Sequence, residues 1–278
     1  MSFLVLLLVL WIEKFSAFRQ RLQQDGFYLR ELARLERGPR LKNQPWWTLA
    51  VCVFAPVVLL AFVLYALEPV AYGLLAFPIH LLVMIYSLGR GDVKAALGPF
   101  RDAWRRGDVQ AAEHVAERDL GLGADSGPEL LERVQGHLLW QAYQSFFAVI
   151  FWYFLMGPAV ALGYRLLALT EEHARNRELR RCAQQLRHAF DWLPVRLLAI
   201  SFALVGNFVA VGRVMISELL NWHLSAGHLI AQVGRAADEL PPPVAGAEGV
   251  ASLDSLWELL LRSAVLWYSV FALCTVLL

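Results

Sequence analysis

An all-α, polytopic membrane bundle with a broken or re-entrant helix and a small cytoplasmic helical subdomain is the fold class predicted by three features of the sequence. Of its 278 residues, 58% are hydrophobic, above the roughly 45–50% usual in soluble domains. The apolar residues gather into uncharged runs separated by arginine-dense stretches, the pattern of a chain partly solvated by lipid. One run is about thirty residues long and is interrupted by Gly157-Pro158, where proline breaks the hydrogen-bond ladder.

Taken in order, the first apolar segment covers residues 1–18. Met1 to Ile12 is apolar and Glu13-Lys14 follows at once. Basic residues before the apolar core and a small-residue cleavage site after it, the marks of a signal peptide, are missing. Twelve residues at about 1.5 Å each fall short of a ~30 Å core. The helix is therefore expected to continue through Phe15, Ala17 and Phe18 as a retained segment, with Glu13 near the interface or facing other helices. The second segment, Trp46 to Leu67, opens on a tryptophan pair suited to an interfacial belt and ends in a Glu68-Pro69 turn. The third runs from Val70 to Leu88, the fourth from Leu138 to Leu169, the fifth from Leu193 to Ile216, and the sixth from Leu256 to Leu278.

The polar stretches between them also carry local signals. Residues 89–137 form the predicted helical insertion. It contains an echo, Arg90-Gly91-Asp92-Val93-Lys94-Ala95-Ala96 and Arg106-Gly107-Asp108-Val109-Gln110-Ala111-Ala112. In each copy glycine ends one element and aspartate N-caps the next. Ser126-Gly127-Pro128-Glu129 fits a capping box, and its helix is placed to run into the fourth apolar segment. Residues 170–191 are arginine-rich and helix-compatible. Residues 217–255, with Pro241-Pro242-Pro243, read as a polar loop. The whole of 1–278 reads as one membrane domain.

Net charge is +1, so overall charge points to no nucleic-acid partner. The three cysteines make no disulfide framework. Basic residues favour the cytoplasmic side for both 13–45 and 170–191. A single crossing at segment four would separate them, whereas a break or re-entry at Gly157-Pro158 keeps both on one side. An ordinary kinked span is the competing arrangement.

Soluble-enzyme motifs are missing: there is no phosphate loop and no His-Glu-x-x-His. Glu171-Glu172-His173 are adjacent, so on a helix they fan out rather than converge on a metal. The informative charges sit at membrane borders. Tyr164-Arg165 lies near the end of segment four, and Phe190-Asp191-Trp192-Leu193-Pro194-Val195-Arg196 opens segment five. A charge at membrane depth is costly and usually partnered. Asp191 is placed either to reach Arg196 or to cap a helix beginning at Pro194. Such a pair orients the helix start, snorkels to headgroups, or binds a ligand. Asn207 with Arg213 makes a second candidate pair, and Glu13 a third site. His80, alone in an apolar run, reads as a hydrogen-bonded core residue.

These same stretches resemble a known family. Phe151-Trp152-Tyr153, Gly157-Pro158, Ala161-Leu162-Gly163-Tyr164-Arg165, Asp191-Trp192-Leu193-Pro194-Val195-Arg196-Leu197 and Ala203-Leu204-Val205-Gly206-Asn207 are similar to the AmpE family, as is the opening run closed by Glu13-Lys14-Phe15. The resemblance implies a multi-pass protein of the bacterial inner membrane. It also implies a role in β-lactamase regulation, encoded beside the AmpD amidase that cleaves anhydro-muropeptides. The family in turn resembles the cobalamin-biosynthesis synthase CobD/CbiB, which uses ATP and magnesium. Gly157-Pro158, Tyr164-Arg165 and Pro194-Val195-Arg196-Leu197 match that enzyme's signature. Its Asn-Thr-Leu-Asp site does not match: Ala168 and Glu171 stand where its Asn and Asp would fall.

Three functions follow as expectations. The first is a regulatory protein without a cofactor that senses cell-wall status, with Arg165, Asp191 and Arg196 lining a pocket for an anionic cell-wall-derived ligand, since arginine's planar fork suits phosphate and carboxylate. The second is a CobD-like synthetase or nucleotide-binding enzyme, in which Glu171, Glu172 and Asp191 would hold magnesium beside ATP phosphates. The third is a transporter of cell-wall fragments.

Overall fold

The computed structural model describes residues 3–8, 25–38, 44–68, 75–89, 93–124, 126–218, 221–240 and 246–277. Among them every regular element is helical. We label these α1 (Gly26–Arg37), α2 (Pro45–Leu67), α3 (Ala76–Ser87), α4 (Val93–Ala96), α5 (Gly98–Arg105), α6 (Val109–Val115), α7 (Gly127–Met156), α8 (Pro158–His173), α9 (Arg177–Val205), α10 (Phe208–Glu218), α11 (Ala226–Ala237) and α12 (Ala247–Leu277). Four of them, α2, α7, α9 and α12, are long and apolar enough to cross a membrane. On α2, Val58, Leu59, Phe62 and Tyr65 are exposed apolar residues, as expected of a helix solvated by hydrocarbon. The expectations for Glu13, for the first Arg-Gly-Asp copy and for Pro69 lie outside the described residues.

The chain divides into two compact units, one comprising Met1–Arg90 and Ala148–Asp191, the other Gly91–Phe147 and Trp192–Leu278. In the first unit α8 packs on α2, on α3 and on the Ala148–Met156 part of α7. Its core joins Leu32 of α1, Leu49, Cys52 and Val53 of α2, Leu166, Leu167 and Leu169 of α8, and Leu179, Cys182 and Ala183 of α9. The break between α7 and α8 falls where the sequence places it. Gly157 has φ +84° and ψ −175°, a conformation essentially confined to glycine. Pro158 then sits in the first turn of α8, where its missing N–H costs nothing. Because α8 packs back on Ala148–Met156, the fourth apolar segment is a broken helix and not a straight span.

The second unit is built around α7, which packs on α11 and α12. Asp108 caps α6 by accepting from the Ala111 N–H at 2.9 Å, and Ser126 caps α7 by accepting from the Glu129 N–H at 3.4 Å. Glu129 itself also contacts Arg133 at 2.6 Å. α7 does run into the fourth apolar segment, with a π-helical turn at Tyr143–Phe147.

Two expectations change here. The fifth apolar segment is not one helix from Leu193 to Ile216: α9 ends at Val205 and α10 starts at Phe208. The turn is held by Asn207, whose N–H donates to the Ala237 carbonyl at 2.8 Å and whose side chain accepts from the Ala210 N–H at 2.9 Å. The stretch 217–255, read as a loop, contains α11 and the first turns of α12. Ser225 caps α11, and Leu229, Ile230 and Val233 are buried along one face of it. The short run of apolar residues in α11 lacks the length of a span but has the helical period that buries one face.

Candidate functional site

The charges that the first unit buries gather where α8 faces the first half of α9. Arg187 and Asp191 are one turn apart on α9 and share a face. Tyr164 and Glu171 are two turns apart on α8 and likewise align. The Tyr164 hydroxyl donates to Asp191 Oδ1 at 2.8 Å. Arg187 Nη1 donates to Glu171 Oε2 at 2.8 Å, and its Nε stands 3.7 Å from Asp191 Oδ2. The guanidinium carbon also lies 5.7 Å from the Tyr164 ring centroid, within cation–π range. Asp191 and Arg187 are buried, whereas the Glu171 side chain keeps 25% of its surface.

Ions held out of water need partners, and here Arg187 Nη1 bonds Glu171 while its buried Nε faces Asp191 at ion-pair distance without a hydrogen bond. Arg187 is shared between two carboxylates. Tyr164 fixes one of these, so Asp191 is the anchored partner and Glu171 the accessible one. A guanidinium held this way presents a fork that an incoming phosphate or carboxylate can also satisfy.

Around the cluster, Arg165 Nη2 lies 3.4 Å from Asp25 Oδ2. The Tyr28 hydroxyl lies 2.6 Å from Thr170 Oγ1 and donates to the Leu166 carbonyl at 3.2 Å. Burial pushes the Tyr28 phenol well above its usual range. Glu36 Oε1 accepts from the N–H groups of Arg175 and Asn176 at 2.9 and 3.0 Å. These bonds set the end of α1 beside the start of α9.

The predicted residues are distributed as follows. Asp191 and Glu171 meet through Arg187. Arg165 lies one residue beyond Tyr164 and turns to Asp25. Pro194 lies inside α9 and starts no helix, so Asp191 does not cap one there. In the second unit, Arg196 donates to the carbonyls of Trp192 and Asn221 at 2.8 and 2.9 Å and stacks 4.2 Å above the Trp192 ring. Asn207 is a structural cap that also bonds Glu239, and Arg213 is exposed. His80 Nδ1 lies 3.1 Å from the Tyr153 hydroxyl, a packed and hydrogen-bonded histidine as read. Of Glu171-Glu172-His173, only Glu171 turns to the cluster, while Glu172 stands 3.8 Å from His173 Nδ1. Arg187 is the site residue that sequence reasoning missed. Its signal was the i,i+4 spacing to Asp191, outweighed by the more conspicuous arginine in the apolar run.

A family model described as "Regulatory signalling modulator protein AmpE" matches residues 1–236. The chain belongs to the AmpE family. The match includes α1 through α10, and with them every residue of the buried cluster. The Protein AmpE of Shigella flexneri is 25% identical over 184 residues, covering 62% of this chain and 65% of that protein. The chain thus spans less than two thirds of that AmpE relative. No solved structure matches the chain. It is thus an AmpE-family protein whose described residues include four helices long and apolar enough to cross a bilayer, a multi-pass character.

Proposed function

We propose that this protein modulates β-lactamase induction from the bacterial inner membrane in response to cell-wall status, with the α8–α9 cluster as its sensing site. The observation that carries the reading is the AmpE family match over residues 1–236, which takes in a buried arginine shared by two carboxylates. The ligand class that suits Arg187 is a small anion-bearing cell-wall fragment, whose phosphate or carboxylate displaces Glu171 while Asp191 stays held by Tyr164. The basic stretches at 13–45 and 170–191 then face the cytoplasm, where the products of the AmpD amidase arise, which makes that enzyme a functional partner.

The test is β-lactamase induction by a β-lactam in a strain lacking the gene, complemented with wild type, Asp191→Asn or Arg187→Gln at matched membrane levels. Altered induction in the deletion strain, restored by wild type and not by the variants, supports the regulatory role and the site together. Unchanged induction on deletion removes the β-lactamase reading. Full restoration by both variants removes the cluster from the mechanism.

A further inference from the structure

The outer face of α1 carries a stripe of charge with an unusual companion. Phe27, Arg30, Arg34 and Arg37 are all exposed, and their three- and four-residue spacing puts them on one side of the helix. Phe27 is 71% exposed, a large apolar ring left among arginines. The opposite face fixes the height of this stripe. Leu32 is buried with Leu49, Cys52 and Val53 in the first turns of α2, a helix long and apolar enough to span a membrane. At the same end of α2, Trp46 and Trp47 are exposed, where tryptophan favours the headgroup level. The bonds from Glu36 to Arg175 and Asn176 bring a second set of exposed arginines, Arg175 and Arg177, to the end of α1. Nearby acids only partly offset them, for Glu31 pairs with Arg34 at 2.9 Å.

We infer that this arginine surface binds the anionic phospholipid headgroups of the leaflet that α2 enters. The position beside the first turns of a span puts it where headgroups lie. The guanidinium fork matches a phosphodiester, and Phe27 with the two tryptophans supplies the apolar part of an interfacial contact. An acidic soluble partner would account for the arginines but not for exposed aromatic rings at the same height.

The test uses the full-length protein in nanodiscs of phosphatidylcholine, with and without phosphatidylglycerol. The thermal midpoint of wild type is expected to rise by about 5 °C with the anionic lipid, and that gain to shrink at high salt. Arg30→Gln/Arg34→Gln/Arg37→Gln should lose most of the gain. The Lys triple at the same positions should keep only part of it, and a control replacing the exposed Arg105, Arg106 and Arg118 by Gln should keep it all. If the Gln triple does not fold, Arg37→Gln alone should lower the gain by about a third. A gain that survives these neutral variants overturns the inference. So does one that inorganic phosphate reproduces in pure phosphatidylcholine, which would mark a site for free anions.

Discussion

Arg187 reaches from α9 to Glu171 on α8 with a 2.8 Å contact between Nη1 and Oε2, and the side chain that makes it is 9% exposed. A buried charge whose partner is removed stays buried and uncompensated, and that loss typically reaches 3–5 kcal/mol. Arg187→Ala is therefore expected to cost about 3 kcal/mol, since it strands Asp191 at the same time. The paired charges Lys94, Arg101 and Asp254 give the contrast. Asp254 contacts them at 3.0 and 2.5 Å, but its side chain is 40% exposed. Asp254→Ala should cost about 1 kcal/mol or less. Denaturant unfolding of the two variants in one detergent checks the ranking, and equal losses would contradict it.

Tyr164→Phe removes only the hydroxyl that donates to Asp191. A hydrogen bond to a charged group is worth about 1.5–3 kcal/mol, so the variant should lose roughly that much stability. Because the Asp191 anchor is gone, it should also impair induction in the complementation assay. Wild-type induction at normal membrane levels would show that the anchor is structural only.

Gly157→Ala tests the break in segment four. Nothing lies within 4 Å of the position a Cβ would take, yet φ is +84°. Any loss comes from the backbone, at about 1–3 kcal/mol. Gly206→Ala tests a different cause. There the added carbon would lie 2.6 Å from the Ala237 carbonyl oxygen, and the α9–α10 turn must shift. Destabilisation of about 1–3 kcal/mol is expected, against a small gain for Gly212→Ala, which meets open space inside α10. Thermal melts of the three variants separate the two mechanisms.

The proximity of Glu36 to Arg175 and Asn176 predicts a topology result. Single cysteines at Glu36 and Arg175, in a background without Cys52, Cys182 and Cys274, should react with a membrane-impermeant maleimide from the same side. Labelling from opposite sides would refute the broken-segment arrangement. Cys182 is buried and would make a poor reporter of either outcome.

Hydropathy and local chemistry carried the large features into view. The apolar runs behind α2, α7 and α12 could be read directly, because a lipid-facing helix must be apolar over its whole length. Gly157-Pro158, Asp108 and Ser126 announced their roles because φ > 0 and N-capping depend on the residue itself. What stayed hidden is a matter of pairing. Asp191 had an arginine on either side of it in sequence, and neither period nor composition could say that Arg187, together with Tyr164 and Glu171 of another helix, was the partner. Only the packing of α8 against α9 decides that. The same holds for Asn207, which looked like half of a buried polar pair and is a cap whose backbone partner, Ala237, lies on α11. The sequence by itself marked the apolar stretches behind α2, α7 and α12 and the break in the fourth segment. The tertiary structure decided which charges meet, because in a low-dielectric interior a charge is placed by the partner the fold brings to it and not by its neighbours along the chain.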